Sequence, residues 1–376
     1  MPITTAAATA QPVLAEESGK RLKFGKGDDF QIELRRRVEE FFTNTGRPQR
    51  DNPKMYVKTA IIMTVFAVSY GLLVFYAATW WQTLLFSIIL GLSMAEIGFN
   101  VQHDGGHQAY SNHAWINKLM AMTLDLLGGS SYIWYWKHGA FHHTYPNIAG
   151  YDTDIDLGFF GRLSPLQKRY SFHRWQHFYL WPLYGFMAIK WQLVEDFQAV
   201  ITGRIGERRV PRPKGWEMVL FIGGKAVFLS FAIVIPLLFH PFWMVALFYV
   251  IVSFVLGIAL SVVFQVVHVV EEAEFPLPRT DTGHIEKAWA IHQVETAVDY
   301  ARKSRIVAWL VGGLNFQIEH HLFPRICHVN YPLISNLVEM ICKEHGVRYV
   351  EHKSFADGVA SHFRWLRRMG LEAKTL

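Results

Sequence analysis

Four stretches almost free of charge constrain the fold most. Residues 59–79 form an uncharged run of 21, and residues 242–267 one of 26. About 20 apolar residues suffice for a helix to cross a bilayer. Residues 82–99 carry a single acid, Glu96, near their end, and residues 216–239 carry Glu217 at the mouth and Lys225 inside. Only the Trp80-Trp81 and His240-Pro241 links separate the members of each pair, so the four read as two helical hairpins. Charged residues make up 18% of the chain against 51% hydrophobic, and a soluble domain carries about 25% charged. The expectation is an all-α integral membrane protein with four transmembrane helices in two hairpins.

Charge placement orients the hairpins. No Lys or Arg occurs between residues 59 and 117 or between 226 and 278. The basic residues, among them Arg35, Arg36, Arg37, Lys54 and Lys58, flank the other ends. Basic loops stay on the cytoplasmic side. Both termini and the long middle segment are therefore expected there, in a bacterial inner membrane or the endoplasmic reticulum. The net charge of +6 follows from this bias and forms no compact nucleic-acid-binding motif. Residues 113–136 contain Lys118, Asp125 and a Gly128-Gly129 break, and residues 179–192 contain Pro182 and Lys190. Charges are costly in hydrocarbon, so both read as interfacial or re-entrant helices. Residues 1–30 read as a disordered tail and residues 31–376 as one domain. Cys327 and Cys342 read as free thiols on the cytoplasmic side.

Histidines cluster just outside these stretches. The chain reads HDGGH at His103 and His107, HGAFHH at His138, His142 and His143, and QIEHH at Gln317, His320 and His321. Residues three or four apart share one helix face, and neutral imidazole is a good ligand for iron, zinc and copper. His268 closes the fourth stretch. Eight imidazoles exceed the four ligands of a tetrahedral zinc, so a site for two metal ions is expected in a cytoplasmic cap at one membrane edge. A single histidine is usually a surface or capped residue. Three clusters repeating ligand spacing on one side are not. A ligating histidine usually donates its second N–H to a carboxylate or carbonyl; the candidates are Asp104, Asp152, Asp154, Asp156 and Glu319, with Asn147 as an amide. Trp289 and His292, in WAIHQVET, are expected near the site.

With these boxes the chain resembles the membrane fatty acid desaturases from about Phe30 to Phe363. The HxxxH, HxxxHH and QxxHH boxes carry the likeness, and TYPNIAGYDTDID (144–156) and HHLFP (320–324) resemble the flanks of the linoleoyl-type, front-end branch. The resemblance implies two iron ions held by His103, His107, His138, His142, His143, His268, His320 and His321. Gln317 stands at a ligand position that is histidine in the stearoyl-type branch. The asparagine that partners His268 in that branch is replaced by Phe264, four residues earlier.

Such an enzyme uses dioxygen and two electrons to place a cis double bond in an acyl chain carried on a lipid or coenzyme A. A saturated C–H bond offers no handle for acid–base chemistry, and iron with dioxygen supplies the oxidant. The His-Pro-Gly-Gly haem motif of some relatives is missing, so no bound haem is expected. A separate ferredoxin or small b-type cytochrome is expected to dock on the cytoplasmic face, where Lys137, Lys168, Arg169 and Arg174 read either as cations that attract an acidic donor or as interface anchors. A lipid hydroxylase of the same superfamily is the neighbouring reading. A metal transporter is the more distant one, since its ligands would line the middle of the spans.

Overall fold

The computed structural model describes residues 22–26, 29–279 and 283–372. Among them four helices are long and apolar enough to cross a membrane: Pro53–Tyr76, Trp80–Gly106, Trp216–Leu237 and Phe242–His268. They match the four expected stretches, and the second runs on past 99 to carry the first histidine box. The second and fourth are the enclosed pair, whereas the first and third present more of their surface outward. Val65, Val68, Ile222 and Val227 on the outer pair are exposed, as lipid-facing residues must be.

The two short links lie together at one end. His240 Nε2–H donates to the Val74 carbonyl at 2.7 Å, and the Phe75 and Phe239 rings meet edge to face at 4.9 Å. Exposed Tyr76, Trp80, Trp81, Phe242 and Trp243 surround them, the aromatic belt expected where helix ends meet headgroups. All the histidine boxes sit at the opposite end.

Neither intermediate stretch makes a helix of crossing length. Residues 113–136 break into Ala114–Ala121, Thr123–Leu126 and Ser131–Trp134, with Gly128 at φ +89°, a conformation only glycine adopts freely. Residues 176–190 split into Gln176–Tyr184 and Met187–Lys190.

Above the spans, Asp29–Thr45 lays Phe30, Leu34, Val38 and Phe42 along one face, the four-residue spacing of an amphipathic helix. That face packs on Ile334, Val338 and Ile341 of Tyr331–Glu344. The core also takes in Ile318 of Gln317–Leu322, and so braces the third histidine box. A C-terminal helix, Phe355–Leu371, buries Trp365, Leu366 and Met369 against Leu163, Leu180 and Tyr184.

The expected tail, 1–30, needs correction where it is described; residues 1–21 lie outside the described residues. Lys23–Gly25 is a strand paired in parallel with His284–Ala288. Leu22 is buried with Tyr145, Ile148 and Ile285. A short apolar patch thus recruits the chain start to the loop that follows the second box.

Close approach of the enclosed pair depends on a small residue. A Cβ on Gly91 would lie 2.8 Å from both the Val252 carbonyl and Val255 Cβ. Packing between spans relies on such contacts. Gly91→Val should lower the melting temperature in detergent by an amount corresponding to about 1–3 kcal/mol of overpacking. Gly223→Ala, where nothing lies within 4 Å, should leave it unchanged.

Candidate metal centre

Four chain segments deliver the histidines to one buried volume. The second span places His103 at its inner end, directly after a wide π-helical turn, Ile97–Gln102. His107 follows one turn later, its ring centroid 4.7 Å from that of His103. The second box lies in another π-helical segment, Tyr135–His142, where His143 N–H donates to the His138 carbonyl five residues back at 3.1 Å. Ordinary α-spacing turns His143 about 100° away from His142. The wider turn instead keeps His142 and His143 both near His138, at ring separations of 5.0 and 4.9 Å. His268 ends the fourth span, and Gln317, His320 and His321 come from Gln317–Leu322.

The rings form two groups. His103, His107, His138 and His320 offer nitrogens within 4.8 Å of one another, and so do His142, His268 and His321. Two nitrogens at about 2.1 Å from a common ion stand at most about 4.2 Å apart, so both groups are close to ligand spacing. His143 lies between them. Its Nε2 is 2.9 Å from His320 Nε2, and its ring stacks on His321 at 4.5 Å. Gln317 places its amide nitrogen 2.9 Å from His268 Nε2, while its buried Oε1 has no hydrogen-bond partner.

The outward-facing ring nitrogens explain the tautomers. His142 Nδ1–H donates to Asp152 at 2.9 Å and His138 Nδ1–H to Asp154 at 3.2 Å. His268 donates to the Thr296 carbonyl at 3.0 Å, and His321 to Gln293 Oε1 at 2.8 Å. His320 Nδ1 lies 3.2 Å from the Tyr331 hydroxyl. The partners of His142, His138, His268 and His321 are oxygens that can only accept, so these pairings leave Nε2 with its lone pair turned inward. The inward nitrogens of His138 and His142, with His107 Nε2, are buried and lack partners. His268 and His321 face each other nitrogen to nitrogen at 3.1 Å. Lone pairs facing lone pairs in a buried volume repel, and a shared cation satisfies them. These donors fit a nitrogen-rich metal site.

Electrostatics favour the neutral rings that ligation requires. Burial, then the neighbouring histidines, holds His107, His143, His320 and His321 well below the ordinary imidazole range. His138 is lowered by burial even beside Asp154. On His142 burial works in the same direction, but Asp152 and then Asp154 outweigh it and shift the ring upward. Burial also opposes charge on Asp154, yet the His138 hydrogen bond and the Lys137 ammonium keep it below the usual carboxylate range.

Three candidate carboxylates are placed elsewhere. Asp104 accepts from the backbone and ring of His328, at 3.2 and 2.9 Å. Glu319 accepts from the Tyr349 hydroxyl at 2.9 Å, and Asp156 from the Gly158 N–H. Each neighbours a box or its flank in sequence, but the backbone turns it away. Asn147 acts through the backbone, its amide donating to the carbonyls of His268 and Thr296. His292 packs on Phe24 at 5.2 Å and Trp289 on the cap core; neither joins the rings. The next residue, Gln293, bonds both His321 and the His143 carbonyl. WAIHQVET therefore did mark the site, through its glutamine. Tyr331 carried no signal in the sequence. Cys327 and Cys342 are free and buried.

Of the four cations expected to receive a donor, only Lys137 needs correction, since Lys168 and Arg174 are exposed. Lys137 is enclosed between Glu195 and Asp154. Lys168 and Arg174 lie over the Tyr170 and Trp175 rings, and Arg169 bonds the Gly370 carbonyl.

A cavity opens beneath the rings of His103 and His138, walled by Leu124, Leu127, Leu256 and Leu260. The molecule is thus a helical membrane protein that presents a histidine-rich candidate metal site to a largely apolar cavity. The family model for fatty acid desaturases matches residues 78–353. The chain is similar to the sn-1 linoleoyl-lipid 6-desaturases of Arthrospira platensis (37% identical, over 94% of this chain and 96% of that protein) and of a Synechocystis species (35%, over 94% and 99%). An acyl-lipid (8-3)-desaturase of Physcomitrium patens is 35% identical over 92% of this chain and 72% of its own length. The chain belongs to the fatty acid desaturase family. It is an integral membrane oxidoreductase of lipid metabolism that desaturates fatty acyl chains, and the hydroxylase and transporter readings are not favoured.

Removing a carboxylate behind a ligand typically weakens metal affinity about 10–100-fold. Asp152→Asn should show that loss in chelator competition with purified protein. Asp156→Asn, whose side chain caps a turn, should not.

Proposed function

We propose that the chain is an oxygen-dependent, front-end acyl-lipid desaturase whose two histidine groups hold a pair of iron ions. His103, His107, His138, His143 and His320 serve one ion; His142, His268, His321 and Gln317 serve the other. One observation carries this reading: partnerless or opposed buried Nε2 atoms from four distant segments meet in two groups. When bound and reduced, such a pair activates dioxygen, the oxidant that an unactivated C–H bond requires. Two hydrogens leave neighbouring methylenes, and with two electrons and two protons from outside, dioxygen ends as two waters.

The chain's own residues do the rest. Asp152, Asp154, Gln293 and the Thr296 carbonyl hold ring tautomers through Nδ1. Arg208 lies 4.5 Å over the Phe141 ring and 4.9 Å over those of Tyr145 and Tyr151, and steadies the segment bearing the second box. The leucine walls of the cavity exclude water and keep the acyl chain under His103 and His138. That the relatives' names specify linoleoyl-lipid or acyl-lipid substrates supports a lipid-bound acyl group over coenzyme A. The basic flanks support a cytoplasmic side for both termini and the metal centre, within reach of a separate ferredoxin or small b-type cytochrome. Residues 31–376 act as one desaturase domain.

Co-expression with ferredoxin and its reductase in cells supplied with linoleate, followed by mass spectrometry of fatty acid methyl esters, tests this. An ester lacking two hydrogens should appear, and His320→Ala should reduce it to background together with bound iron. A persistent product in that variant would overturn the assignment. In a reconstituted assay, omitting the donor should abolish turnover; undiminished turnover would remove the external donor from the scheme.

A further inference from the structure

Lys225 is a buried cation in the middle of the third span, and neither the metal centre nor the helix packing accounts for it. All three of its donors are used: they reach the Gly128 carbonyl at 2.6 Å, the Gln192 carbonyl at 3.0 Å and Asp196 at 2.8 Å. Asp196 also accepts from Trp191 Nε1 at 3.0 Å. Ionisable groups at membrane depth are costly and mark function by default. What this one fixes in place is Gln192.

The Gln192 side chain spends its hydrogen-bonding capacity on a single junction. Its Nε2 donates to the Leu127 carbonyl at 2.9 Å. Its Oε1 accepts from the Tyr249 hydroxyl at 3.0 Å and the Ser253 hydroxyl at 3.3 Å. Gln192 is buried, so the junction is a satisfied polar bar in apolar surroundings.

Cavities lie on both sides of that bar. The one beneath the histidines runs along the fourth span to Leu256 and Gly257 and touches Gln192. The second begins at Tyr249, Val252 and Ser253 and is walled by Phe66, Phe228 and Ala232. The second span repeats the order, with Gly98 and Phe99 in the first cavity and Leu90 and Met94 in the second. Both spans carry their histidines at the same end, so the second cavity is the deeper. From His268 to Leu256 is about 18 Å of helix, and to Tyr249 about 28 Å, at 1.5 Å per residue.

We propose that the Gln192–Tyr249–Ser253 junction, locked by Lys225 and Asp196, is the end wall of the acyl cavity, and that it shuts the acyl chain out of the cavity behind it. The wall would set how much of the chain's methyl end extends beyond the metal centre, and hence which acyl lengths are accepted. The occupant is the terminal segment of the acyl chain, since the first cavity is predominantly apolar where it runs along the fourth span and the second is walled by apolar side chains, and an apolar tail gains by entering them. This rests on the acyl-desaturase reading proposed above.

The test uses the full-length protein in membranes with its donor and a series of lipid-linked acyl chains that differ by two methylenes. Gln192→Ala should join the cavities. Each methylene then buried is worth about 0.8 kcal/mol, roughly fourfold, so kcat/KM for a chain two methylenes too long should rise about fifteenfold relative to the preferred chain. Adding Ala232→Phe, which fills the second cavity, should cancel the shift. Tyr249→Phe with Ser253→Ala removes only donors and should shift the ratio the same way by less, which provides a milder variant should Gln192→Ala fold poorly. A structural defect would lower turnover of every chain alike. An active wild type with an unchanged length ratio in folded, iron-replete variants overturns the end wall alone. A wild type that desaturates no chain overturns the functional reading and the wall with it.

Discussion

Unshared electron pairs on imidazole nitrogens, turned toward one another in a volume that water does not reach, are the condition around which this molecule is organised. Without a shared cation that arrangement is repulsive, so something must hold it open. The outward nitrogens do so: hydrogen bonds to Asp152, Asp154, Gln293 and the Thr296 carbonyl fix the proton on Nδ1 and point Nε2 inward. Burial does the same electrically by disfavouring imidazolium on His107, His143, His320 and His321.

The spans serve this centre as rigid posts. The two enclosed helices each end in a histidine-bearing turn, His103 on one and His268 on the other, and the outer pair shields them. The cap closes the remaining side, because Ile318 sits in the same core as Phe30 and Ile334, so the helix bearing His320 and His321 cannot shift without disturbing that core. Backbone hydrogen bonds within the spans are satisfied internally, as a bilayer demands. The irregular segments with exposed polar backbone are gathered at the histidine end.

Much of this was legible before any coordinates. The four spans follow from uncharged runs and the position of each Lys and Arg. The box histidines follow from spacing that repeats at matching ends of the hairpins. What escaped was set by long-range geometry. Gln293 and Tyr331 approach the rings only because two helices distant in sequence dock beside them. Asp104 looked well placed as the neighbour of His103, yet one step along a helix turns a side chain to a different face, and it met His328 instead. Lys137 read as a surface cation and is enclosed by two carboxylates. The strand at Lys23–Gly25 is too short to leave a periodic trace.

The five-residue turn from His138 to His143 has an implication for how such a chain can vary. Because its backbone bond spans one residue more than an α-turn, the turn keeps His142 and His143 both beside His138. Excising one residue from it would restore regular pitch and swing the last ring of the motif roughly a quarter of a revolution out of place. The count between these histidines is therefore a dimension of the candidate metal centre itself, as fixed as the places of Asp152 and Asp154 in the loop beyond Tyr145.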